Sequence, residues 1–188
     1  MPLYITITPQ VAEVLSCHLG FDSYTHADSP LSENRISFTE PLLKLGNDIV
    51  GIGACSPIDN PIREVESGIL TDEWQVKYRS ICYYSEMIEY PLAKATTIAD
   101  IEKFNFPDPS AKGRFDLARQ MVEKHGDRYA ICGDLECTIF EGAWHLVGMD
   151  KLLIDLCLKK DYTSTLLDLG CNGNVKGHTI WLLQIDGF

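Results

Sequence analysis

Positive charge is scarce in this 188-residue sequence: 16 Lys and Arg stand against 27 Asp and Glu, a formal net charge of -11. Repulsion from phosphate therefore argues against nucleic acid or an anionic membrane surface as a partner. Long apolar runs are missing too. None approaches the roughly 20 residues that cross a bilayer, and Met1-Pro2-Leu3-Tyr4 lacks the basic flank of a signal peptide, so the chain reads as cytoplasmic. The seven cysteines are an odd number, widely spread, with no Cys-x-x-Cys pair, which points away from a disulfide framework and from a zinc ribbon. His18, His26, His125 and His178 are isolated, and no His/Cys/carboxylate cluster has metal-ligand spacing. A phosphate-binding P-loop and a Gly-x-Ser-x-Gly elbow are absent. Gly51-Ile52-Gly53-Ala54-Cys55-Ser56 fails as a dinucleotide fingerprint, because Ser56 replaces the third glycine and Pro57 follows.

What remains is an ordinary globular composition, 45% hydrophobic and 23% charged, laid out as short apolar strands alternating with segments of helical period. That alternation predicts a parallel α/β protein, since each parallel crossover needs a helix to return the chain to the same sheet edge. Leu3 to Ile7 predicts a first strand. It runs into Thr8-Pro9, an N-cap with proline at the first helical position, and a helix with Val11, Val14, Leu15 and Leu19 on one face and Gly20 at its end. A helical turn through Leu42, Leu43 and Leu45 stops at Gly46, and Asp48 to Ala54 predicts a second strand covered on both faces. Between Asn60 and Pro91 the alternation at Trp74, Val76 and Tyr78 predicts an inserted β-hairpin. Thr97-Ile98-Ala99-Asp100 resembles a capping box, and Phe106-Pro107-Asp108-Pro109 is too proline-rich for a helix. A helix with Phe115, Ala118, Met121 and Val122 on one face leads to a third strand, Tyr129 to Gly133. Two helices follow, around Ile139 to Val147 and Leu152 to Cys157, and a further short one starts near Asp161. After Leu169 the pattern fails, with Gly170 to Asn174 turn-like and Thr179 to Ile185 a last apolar run. A complete eight-fold barrel takes about 250 residues, so the count leaves two architectures, a small open α/β sheet or part of a barrel.

Side chains at the carboxyl ends of parallel strands converge on the site in such folds. That rule selects Thr8, the stretch Gly53 to Ser56, and Gly133-Asp134-Leu135-Glu136. Asp134 and Glu136 are placed to orient a substrate, accept a proton or bind N–H groups; the alternative is that Asp134 caps the following helix. Cys55 reads either as a nucleophile or soft ligand, or as a small buried hydrophobe. Glu141 and His145, four residues apart, share a helical face and read as a surface hydrogen bond more readily than as a metal site.

In order along the chain, several segments resemble the uroporphyrinogen decarboxylase superfamily, and within it the corrinoid-linked methyltransferase-like branch. They are Leu45 to Gly53, Gly68-Ile69-Leu70-Thr71-Asp72-Glu73-Trp74, Glu89-Tyr90-Pro91-Leu92-Ala93, Phe106 to Pro109, Tyr129 to Gly133, and Phe140 to Met149. The likeness spans Pro2 to Asp168. It implies a partial (β/α)8 TIM barrel, an N-terminal half with the inserted hairpin: residues 1–169 form the N-terminal part, and residues 170–188 are a poorly matching tail expected from a truncated or frameshifted reading frame. The resemblance implies two chemistries. The decarboxylase of porphyrin biosynthesis removes substrate carboxyl groups without a cofactor, using an aspartate that aligns near Cys55 and an arginine-rich segment not found here. The methyltransferase branch moves a methyl group from a corrinoid to a thiol ionised by zinc, held through a His-x-Cys pair and a distant Cys of the second barrel half. On this resemblance Cys55, Asp134 and Glu136 bind substrate, no cofactor is bound by the chain alone, and the complete enzyme takes zinc and a corrinoid protein partner. An inactive half barrel would instead self-associate through unpaired edges.

Overall fold

The computed structural model describes residues 1–21, 27–29, 33–81, 84–134 and 139–169. The elements in chain order begin with α1 (Pro9–Leu19), α2 (Glu33–Ile36), α3 (Thr39–Lys44) and β1 (Ile49–Ile52), then β2 (Arg63–Glu66), β3 (Ile69–Thr71), β4 (Lys77–Ile81) and β5 (Tyr84–Glu89). They continue with α4 (Ile98–Glu102), α5 (Asp116–His125), β6 (Ala130–Gly133), α6 (Phe140–Val147) and α7 (Met149–Cys157), followed by α8 over residues 161–169. The protein is mixed α/β, with one parallel and one antiparallel sheet; among the described residues neither sheet closes into a barrel. No helix among them is long and apolar enough to cross a membrane. The chain divides into two compact units, Met1–Ile58 with Lys112–Glu136, and Asp59–Ala111 with Cys137–Phe188. His26, Glu136, His178 and the segments Gly170 to Asn174 and Thr179 to Ile185, all singled out above, lie outside the described residues.

The first unit is built around the parallel pair β1 and β6, in register from Ile49 opposite Ala130 to Ile52 opposite Gly133. The expected second and third strands are therefore present and parallel. The expected first strand is not. Leu3 to Ile7 carries no ladder; instead Asn47, itself buried, spans Ile5 with its side-chain amide, accepting from the Ile5 N–H at 3.2 Å and donating to its carbonyl at 3.0 Å. Asp48 does the same for Leu3, its carboxylate taking the Leu3 N–H at 2.7 Å while its own N–H reaches the Leu3 carbonyl at 2.8 Å. Asn47 and Asp48 at the foot of β1 thus supply the partners that a neighbouring strand would have offered.

Helix α1 starts at Pro9 and ends at Gly20, whose φ of 75° is the left-handed turn that glycine permits. Its rotation differs from the expected one: Ala12 and Ser16 are buried, whereas Val11 and Val14 are exposed. Both faces satisfy the helical period. Ala12 faces inward because it packs with Phe38 and Leu42, and a small residue lets the helix approach them closely. Phe38 holds a left-handed φ of 62°, costly for a bulky residue, and its side chain is fully buried in that cluster. In α5 the expected face is the buried one, with Phe115, Ala118, Met121 and Val122 inward. Its last turn is tied to α3 through Lys124, which donates to the Glu40 carboxylate, with His125 Nε2 at 3.7 Å from the same oxygen.

In the second unit the excursion is larger than the hairpin expected: β2, β3, β4 and β5 form a four-stranded antiparallel meander. The hairpin expected between Asn60 and Pro91 rested on alternation at Trp74, Val76 and Tyr78, whereas β2 reads Arg-Glu-Val-Glu, is exposed at every position and shows little apolar alternation. Thr97 caps α4 as expected, accepting from Asp100 N–H at 3.3 Å while the Asp100 carboxylate takes the Thr97 N–H at 2.9 Å. The core gathers Leu92, Ala95, Ile101, Ala143, Leu146, Val147, Leu152, Tyr162 and Leu166, with Trp74, Phe104, Phe106 and Trp144 against it. Gly148 separates α6 from α7 at φ 91° and ψ 141°, a conformation open almost only to glycine.

Candidate functional site

The parallel register brings the loop after β1 and the residue after β6 to the same end of the pair. Asp134 donates its backbone N–H to the Ile52 carbonyl at 2.8 Å, extending the ladder by one bond, and its side chain then turns inward at only 8% exposure. Arg35, on α2, sets a guanidinium nitrogen 3.9 Å from one carboxylate oxygen, with 48% of its side chain exposed. Among the described residues the next helix is α6, which begins after Ile139 with no side-chain cap on its first turn.

The two glycines of β1 have separate uses. A Cβ at Gly51 would lie 2.1 Å from the Arg35 carbonyl oxygen and 2.8 Å from the Tyr4 hydroxyl, so this glycine admits the chain that carries Arg35 across the strand. A Cβ at Gly53 would sit 3.2 Å from Ile36 and 3.7 Å from the Asp134 Cβ, which places Gly53 directly beside the acid.

Beyond β1 the loop is woven between two others. Cys55 N–H donates to the Arg114 carbonyl at 2.9 Å, and the Arg114 guanidinium donates back to the Cys55 carbonyl at 3.3 Å. Ile58 N–H reaches the Lys112 carbonyl at 3.0 Å. On the other side Ser29 Oγ donates to the Ala54 carbonyl at 2.8 Å, and Ser56 N–H to the Asp28 carbonyl at 2.6 Å. Burial pushes the Cys55 thiol up to about 11, with Asp28 adding to the shift and Arg114 opposing it. It is therefore protonated at neutral pH and behaves as a small apolar group, not a thiolate nucleophile. Ser56 is buried, and its Oγ has no hydrogen-bond partner among the described residues.

Sequence reasoning placed Cys55 and Asp134 at the strand ends and missed Arg35, Arg114 and Ser29. A buried arginine such as Arg114 has no local signature; only its pairing across 59 residues identifies it. The Glu141 and His145 pair belongs to the second unit, and there the surface reading is corrected. His145 is buried, its ring edge-on to Trp144 with centroids 4.2 Å apart, and burial lowers its pKa while Glu141 pulls it up. Among the described residues no three His, Cys, Asp or Glu side chains lie together as a metal-ligand group. Neither a family model, nor a curated protein, nor a solved structure matches this chain.

Proposed function

We propose that the chain is the N-terminal part of a (β/α)8-barrel enzyme of the uroporphyrinogen decarboxylase superfamily, on the corrinoid-dependent methyltransferase branch, acting in the cytoplasm. The observation that carries this reading is the parallel register of β1 and β6, with Cys55 and Asp134 at one end, where barrel enzymes hold their substrates. In this reading Asp134, steadied by Arg35, and Glu136 accept hydrogen bonds from the substrate, while Cys55 lines the wall as a neutral thiol. The decarboxylase alternative is less favoured at Cys55, since a cysteine supplies no carboxylate for pyrrole N–H groups.

Reading the flanking DNA in all three frames tests the proposal, a His-x-Cys pair and a distant Cys in later βα units being the expected finding. The protein joined to that continuation is then expected to move a methyl group from methylcobalamin to a thiol with zinc present, and Asp134→Asn to slow the transfer. Metal-independent release of carbon dioxide from uroporphyrinogen would replace this reading with the decarboxylase.

A second reading, self-association, is favoured by one observation: Ala130, Cys132 and Gly133 of β6 are exposed, and among the described residues β6 pairs with β1 alone. Light scattering across a dilution series tests it. A mass that rises with concentration and falls in Cys132→Lys is expected, and a monomer at every concentration would end the idea.

A further inference from the structure

We draw no further inference here: the strongest candidate, the uncharged outer edge of the parallel pair along β6, belongs to the association reading already given, and nothing in the structure shows what covers it.

Discussion

The two sheets place a buried aspartate in opposite circumstances. Asp72, at the end of β3, is consumed by its own turn: one oxygen accepts the Val76 N–H at 3.0 Å, and the other takes the Tyr78 hydroxyl at 2.6 Å. Asp134, at the end of β6, meets a guanidinium from α2 instead. An antiparallel connection folds back within a few residues, so its acid finds donors nearby; a parallel strand must leave the sheet, and its last side chain faces whatever other loops bring to it. The edges differ in the same sense. β2 and β5 carry Arg63, Glu64, Glu66, Glu86 and Glu89 with a bulge in each pairing, devices that discourage further strand pairing, whereas β6 has no charge at all.

Glycine substitution is expected to separate the sheets most strongly. Gly51→Ala drives a methyl into the Arg35 carbonyl and should cost about 3 kcal/mol of stability. Gly68→Ala, in the open turn between β2 and β3 at φ 73°, should cost about 1 kcal/mol from its backbone conformation alone. Denaturant midpoints measure both, and equal losses would contradict the close crossing over β1. Trp74 and Trp144 belong to the second unit, so their fluorescence follows that unit while hydrogen exchange at Asp134 follows the first.

The aspartates come next. Asp72→Ala removes two hydrogen bonds and strands their donors, an expected loss of about 2 kcal/mol in the fluorescence transition. Asp134→Asn keeps the shape and should change stability by less than about 1 kcal/mol, its effect being on substrate. A collapse of the fold in Asp134→Asn would make that residue structural.

Two threonines before helices give a smaller contrast. Thr97→Ala breaks a reciprocal cap and is expected to cost about 1 kcal/mol. Thr8 makes no side-chain cap bond, so Thr8→Ala should leave the denaturant midpoint nearly unchanged.

The smallest effect is a pH slope. Burial holds the folded-state pKa of His145 below its ordinary 6.5, so its contribution is present above that value and lost as pH falls through the lowered pKa. Acidification from neutrality should weaken the second unit, and His145→Phe should flatten that slope in fluorescence-monitored unfolding. An unchanged slope would assign the acid sensitivity elsewhere.

Where an expectation rested on neighbours within one turn, it survived: Thr8-Pro9 and Gly20 bound α1, Thr97 and Asp100 form their box, and Phe115, Ala118, Met121 and Val122 face inward. Of those that required a partner far along the chain, the parallel pairing of β1 with β6 survived and three others did not. The rotation of α1 depends on Phe38 and Leu42, and the loss of the first strand on Asn47, while His145 is buried where a surface position was expected.

Composition and period alone determined that this is an α/β protein with strands near residues 49–52 and 130–133, because helix caps and apolar periodicity are written within a few residues of where they act. Tertiary structure alone decided that Asp134 meets Arg35, that the Cys55 backbone is held by Arg114 while burial keeps its thiol neutral, and that Gly51 must be glycine. Those contacts join segments tens of residues apart, and burial, which sets both charge state and steric need, exists only once the chain has closed upon itself.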